Sequence, residues 1–229
     1  MSETGLLFTR AYSQQAMSGR VDELTDIYQY AFAQAPWNEV GKCAKNEKTP
    51  TCPDGFSALQ VGSFCTACEL IVEQPAYSDE ELRKKFTKPE DAEHHTVWYL
   101  EETGAGKISL AVLARITTAQ GLRNIAFENN KPMQEWISSK YNNPGQSVVW
   151  IEDIFADTSI RESGNLKNFG DMCRQIATGS GESSEIAIRT LNPKVVSAAK
   201  RDFGTKCKIY DPVFNEVPDR GRFIKIAGL

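Results

Sequence analysis

Apolar and polar residues along the chain alternate at two spacings, one suited to strands and one to helices. Leu6 to Ser13 carries β-compatible Leu, Phe and Tyr and predicts a first strand. From Asp22 to Ala33, the positions Leu24, Ile27, Tyr28, Ala31 and Phe32 recur at helical spacing. Pro36 predicts the end of that helix, with Ala35-Pro36-Trp37-Asn38-Glu39 turning away from it. Between Gly41 and about Glu69 the pattern dissolves into Lys, Thr, Pro, Gly and four cysteines, which predicts an insert rather than a core element. Ser78-Asp79-Glu80-Glu81 followed by Leu82 and Phe86 predicts a second helix with an acidic first turn. Thr96 to Glu101 and Lys107 to Thr117 read as a hairpin around the loop Glu102-Thr103-Gly104-Ala105-Gly106. The polar stretch that follows to Gln146 predicts a second insert, with a short helix at Met133, Trp136 and Ile137.

Ser147 to Ala156 is rich in Val, Ile, Trp and Phe and predicts a buried central strand. A polar turn (157–164), a helix from about Leu166 to Ala177 and a strand from Glu185 to Arg189 come next. Asn192-Pro193 is a sound helix start, with Asn as N-cap and Pro at the first helical position, and Gly204 can close that helix. Lys206 to Tyr210 and Arg222 to Ile226 are the last strands. The predicted order is β-α-α-β-β-β-α-β-α-β-β, an α/β chain with a mixed sheet. Residues 1–229 are expected to form a single domain enlarged by inserts at 41–69 and 118–146.

Composition narrows the class. At 229 residues, 41% hydrophobic and 24% charged, the chain is long enough for a substantial core without staples. No apolar run approaches the roughly 20 residues of a membrane helix, and Met-Ser-Glu-Thr-Gly lacks the features of a signal peptide. A cytoplasmic location is therefore expected, with no membrane partner. A net charge of −4 and a pI near 5.4 give no electrostatic reason to bind nucleic acid. Oligomeric state is not legible.

Six cysteines are distributed unevenly: Cys43, Cys52, Cys65 and Cys68 cluster, whereas Cys173 and Cys207 stand apart as expected core residues. The Cys65-Thr66-Ala67-Cys68 step lets two thiolates on one turn reach a tetrahedral ion, and Cys43 and Cys52 could complete a structural zinc site. Such sites contribute on the order of 10 kcal/mol to small metal-folded units. A redox CxxC, a pair of disulfides and unrelated thiols are the competing readings. His94 and His95 could substitute as ligands but read as a surface turn after the second helix.

The most specific segment is Trp150-Ile151-Glu152-Asp153-Ile154-Phe155-Ala156-Asp157-Thr158-Ser159-Ile160-Arg161-Glu162-Ser163-Gly164-Asn165-Leu166. A strand runs into a turn with an arginine and a glycine and then into a helix, an arrangement that suits a pyrophosphate. Backbone N–H groups at a helix N-terminus donate to it, glycine permits close approach, and arginine adds a forked charged donor. An ordinary polar loop is the plainer alternative. The segment and the order of elements resemble the GNAT superfamily of acyl-CoA-dependent N-acyltransferases, whose strand end is followed by (Q/R)-x-x-G-x-(G/A). Arg161 and Gly164 match that motif, and Leu166 departs from it, standing where Gly or Ala is usual.

The resemblance implies transfer of an acetyl group from acetyl-CoA to an amine of unspecified kind, small molecule or protein. It implies a cosubstrate site at Ile154, Phe155, Ala156, Arg161, Glu162, Ser163, Gly164, Asn165 and Leu166, with Asn192 on the pantetheine arm. A backbone N–H near 154–156 would polarise the thioester carbonyl, and Glu152 is preferred to Asp153 as the base. Either carboxylate could instead serve in a strand-edge ion pair. Lys200 stands near the place where many members carry a tyrosine acid, and Tyr210 reads as structural. A non-catalytic CoA-binding or protein-interaction module with the same fold and a structural zinc site is the alternative. Trp37 and the cysteine insert would border the acceptor, unless Trp37 is a packing anchor.

Overall fold

A computed structural model describes residues 8–34, 39–43, 56–66, 69–89, 94–126, 131–157, 166, 168–179, 185–190, 192–211, 213–214, 217–218 and 221–229. The chain divides into two compact units. One comprises Met1–Met17, Pro89–Ile154 and Ser159–Leu229; the other comprises Ser18–Lys88 and Phe155–Thr158.

The first unit is built on a seven-stranded sheet. Its strands are β1 (Phe8–Ser13), β6 (His94–Glu102), β7 (Ile108–Thr118), β8 (Ser147–Ala156), β9 (Glu185–Thr190), β10 (Cys207–Tyr210) and β13 (Arg222–Ile226), in the spatial order β1-β6-β7-β8-β9-β13-β10. β8 and β9 run parallel, while β1/β6, β6/β7, β9/β13 and β10/β13 are antiparallel. Parallel neighbours need a crossover, and helix α5 (Phe169–Gly179) supplies it. β7 lies deepest: every residue from Ile108 to Arg115 is buried, as expected of a strand covered on both faces.

The stretch expected as a polar insert after β7 forms two helices, α3 (Ala119–Ala126) and α4 (Lys131–Ser138). Leu122 and Ile137 from these helices pack with Val148, Trp150, Ala187 and Phe223 of the sheet. Helix α6 (Pro193–Phe203) packs on β9, β10 and β13, and α5 packs on β1, β6 and β9. The caps of α6 follow the local rules. Asn192 Oδ1 accepts from Lys194 N at 2.9 Å, and Gly204 ends the helix at φ 50° with its N–H donated to Lys200 O. Cys173 is fully buried, whereas Cys207, expected in the core, is only half-buried on the edge strand β10. Edge position leaves one side of that strand open.

The second unit holds α1 (Val21–Ala33), α2 (Asp79–Phe86) and a small sheet of β2 (Gly41–Cys43), β3 (Phe56–Ser57), β4 (Phe64–Cys65) and β5 (Leu70–Pro75), ordered β3-β2-β5-β4. The helix with an acidic first turn expected here is α2, and Ser78 caps it in a reciprocal box with Glu81. Tyr28 is the hub of an aromatic cluster. Its ring centroid lies 4.3 Å from Phe32, 5.1 Å from Tyr77, 5.6 Å from Phe86 and 5.0 Å from Phe155. Gly41 sits where a Cβ would fall 2.3 Å from Val72 Cγ1 and 2.6 Å from Leu59 O, so only glycine lets β2 lie against β5. A short hairpin, β11 (Val213–Phe214) with β12 (Val217–Pro218), lies in the first unit. No helix among the described residues is long and apolar enough to cross a membrane.

Glu101 on β6 is a buried carboxylate, and burial pushes its pKa up, partly offset by a hydrogen bond from the Tyr99 hydroxyl at 3.4 Å. A raised carboxylate favours the protonated folded state, so its contribution is fully present below the unfolded pKa and is lost as pH rises through the folded one. Glu101→Gln should therefore raise the melting temperature by a few degrees at pH 7. Melting curves at pH 7 and pH 4 should show that gain shrinking in acid.

Candidate functional site

The ladder between β8 and β9 is short. It runs from Val148 opposite Glu185 to Ile151 opposite Ile188 and, among the described residues, goes no further. Yet β8 continues to Ala156, and β9 stays paired with β13 through Thr190. The two parallel strands thus part after Ile151 and Ile188, and Glu152, Asp153 and Ile154 follow at once, all half-buried. Openings at the carboxyl ends of parallel strands are where open α/β sheets take ligands.

Glu152 is in an ion pair, the second of the two roles its position allows. Arg115 Nε donates to Glu152 Oε2 at 2.5 Å, and Arg115 Nη1 lies 2.9 Å from His94 Nε2. A guanidinium only donates, so His94 Nε2 accepts and the ring is neutral with its proton on Nδ1. The expectation of a surface turn at His94 is corrected here. β6 begins two residues before the predicted Thr96, and His94 shares the inward face with Thr96 and Trp98 while His95 points out. Arg115, which contacts both Glu152 and His94, is the residue that pattern reading passed over. A single arginine within the apolar run from Ile108 to Ile116 was the available signal, since a buried guanidinium requires internal partners.

Of the other expected residues, Phe155 and Ala156 are buried, and Phe155 packs on Tyr28 and Phe86. Leu166 is half-buried, and its carbonyl accepts from Phe169 N at 3.2 Å and Arg201 Nη2 at 2.7 Å. Arg161, Glu162, Ser163, Gly164 and Asn165 lie outside the described residues, as do Trp37, Cys52 and Cys68. Asn192 is used as an N-cap and is half-buried. Cys43 and Cys65 pair with Val72 and Leu70 on opposite edges of β5 and form one buried cluster with them. Among the described residues no group of three or more His, Cys, Asp or Glu is placed to hold a metal.

No protein-family model and no curated protein sequence matches the chain significantly. Solved structures do match it along its whole length. An agmatine N-acetyltransferase variant in its apo form is 10% identical with a TM-score of 0.51, covering 97% of this chain and 99% of its own. Arabidopsis thaliana NAA60 in complex with acetyl-CoA is 10% identical over 98% and 99% of the two chains, with a TM-score of 0.49. A GNAT superfamily phosphinothricin acetyltransferase from Sinorhizobium meliloti in complex with AcCoA is 9% identical over 96% and 88%, with a TM-score of 0.47. The likeness is one of fold: an α+β architecture on a mixed sheet that matches N-acetyltransferase structures.

Lys200 is exposed on α6, near the position where the resemblance implies a tyrosine. Tyr210 packs edge-on to Trp136 at 5.9 Å and against Phe223 at 6.3 Å, the structural role expected of it. Asp202 ties the end of α6 to the start of α5: Gly170 N donates to its Oδ2 at 2.9 Å, and Arg201 holds both oxygens at 2.5 and 2.8 Å. A carboxylate held against the N-terminal turn of α5 from the neighbouring helix interacts favourably with the helix dipole. The Arg201 guanidinium, with the Gly170 N–H, holds the Asp202 carboxyl below its usual range. For a depressed carboxylate the stabilisation is present above the unfolded pKa and lost as pH falls through the folded one. Asp202→Asn should cost about 1 kcal/mol or less at pH 7. The difference should vanish when denaturation is repeated near pH 2.

Proposed function

We propose that the chain is an acyl-CoA-dependent N-acyltransferase that moves an acetyl group from acetyl-CoA to an amine. The observation that carries this reading is the parting of β8 and β9 after Ile151 and Ile188, with Glu152 at the opening. A thioester supplies an activated acetyl group. Main-chain groups of Ile154, Phe155 and Ala156 would receive the acyl-pantetheine end, with Asn192 along the arm. The turn from Arg161 through Glu162, Ser163, Gly164 and Asn165 to Leu166 would take the pyrophosphate. The amine nitrogen attacks the carbonyl carbon, the C–N bond forms and the C–S bond breaks. Glu152 accepts the amine proton directly or through water, and solvent supplies the proton for the departing thiolate.

Lys200 at the expected tyrosine position, and the ion pair at Glu152, favour a second reading, a non-catalytic module that binds CoA. In that case acetyl-CoA binds, but thiol release stays at background with every amine tried. For either reading acetyl-CoA should raise the melting temperature, with about 3 kcal/mol of stabilisation at a hundredfold excess over Kd. Gly164→Glu should remove the shift by bulk and like charge. A wild-type protein that acetyl-CoA does not stabilise would contradict both.

The zinc reading enlists Cys43, Cys52, Cys65 and Cys68. Its support is that Cys43 and Cys65 share one buried face of the small sheet, Cys43 beside Val72 and Cys65 beside Leu70. Four thiolates would close the coordination sphere and leave the ion a structural role. Protein purified without added metal should carry about one zinc per chain by elemental analysis. Metal-free protein with all four of these thiols titratable would reject the site.

A further inference from the structure

We infer that Arg115 and His94 are positioning residues that orient the Glu152 carboxylate for proton transfer. This rests on the assignment of Glu152 as the base. The three side chains come from adjacent strands, His94 on β6, Arg115 on β7 and Glu152 on β8. The β6/β7 register sets Thr96 opposite Arg115 and His94 opposite Thr117, which puts His94 and Arg115 on one face. Strands joined in one sheet hold side chains in place more firmly than loops do.

Exposure rises along the chain of contacts. His94 is 3% exposed, the Arg115 side chain 5% and the Glu152 side chain 23%. Only the carboxylate reaches toward solvent, at the place where β8 leaves β9. An apolar trio would hold the sheet together at least as well, because a buried ion pair adds little net stability. What the trio adds is direction. With Nε on Glu152 Oε2 and Nη1 on His94, the planar guanidinium is fixed at two points, and fixing Oε2 fixes where Oε1 lies. Lysine, a single point charge on a flexible stem, cannot make both contacts in one plane.

The test is kinetic, following release of CoA thiol from acetyl-CoA with agmatine, spermidine and a peptide amine as acceptors. Glu152→Gln should lower kcat about a hundredfold. Arg115→Lys and His94→Leu should each lower kcat about tenfold with KM for acetyl-CoA unchanged, a split that mere loosening of the fold would not give. His94→Gln, which sets an amide oxygen near the place of Nε2, should restore most of the rate. If Glu152→Gln is inactive while folded Arg115→Lys and His94→Leu keep wild-type kcat, the inference falls and the assignment of Glu152 stands. If Glu152→Gln turns over normally, or no acceptor reacts, both fall. Should Arg115→Lys not fold, the Leu and Gln variants at His94 decide alone. The chain has two histidines, so 15N spectra can read His94 independently of activity. A neutral ring with its proton on Nδ1 at pH 7 is expected, and an imidazolium or an Nε2–H tautomer would overturn the inference.

Discussion

Two strands that run parallel cannot be joined by a tight turn, and the placement of the candidate site follows from that constraint. β8 and β9 are held by a ladder of four residue pairs, Val148 to Ile151 against Glu185 to Ile188, and everything between them must cross over. The crossover contains α5, whose first turn is held by Asp202 and whose approach is the Arg161–Leu166 segment. Because the ladder is short, the same pair that demands a helix also opens at its C-terminal end. Crevices at the carboxyl ends of parallel strands are where open α/β sheets bind ligands. The position of the proposed cosubstrate site is thus a consequence of strand direction, and its chemistry depends on the residues at the opening.

Charge at that opening is arranged against the ordinary preference of a core. β7 is buried from Ile108 through Arg115, and the guanidinium at its end would be costly without partners. Glu152 provides the countercharge and His94 a neutral acceptor, so each member's position depends on the other two. An engaged carboxylate is compatible with the structural role that the sequence left open for Glu152 as well as with the catalytic one. The difference between the two lies in whether the trio's geometry changes turnover or only stability.

Legibility in the sequence tracked the range of the interactions involved. Ser147–Ala156, the capped start of α6 at Asn192-Pro193 and its close at Gly204 were readable because periodicity and caps are local. The small sheet was not. Its strands β2, β3 and β4 are two or three residues long, and what makes them strands is pairing with each other and with β5, which leaves no period in the sequence. The polar stretch after β7 hid α3 and α4, which are anchored through a few residues such as Leu122 and Ile137. His94 was misplaced for a related reason: only the β6/β7 register brings it within reach of Arg115. Arg115 shows in the sequence only as one arginine in an apolar run, and the fold reveals its partners.

The central claim, that acetyl-CoA is received where β8 leaves β9, is tested most directly by amide hydrogen exchange with and without acetyl-CoA. The account predicts added protection in the peptides covering Glu152–Ala156 and Arg161–Leu166, with the antiparallel β6/β7 hairpin unchanged. Unaltered exchange in both of those segments at saturating acetyl-CoA, or protection confined to other parts of the chain, would contradict it.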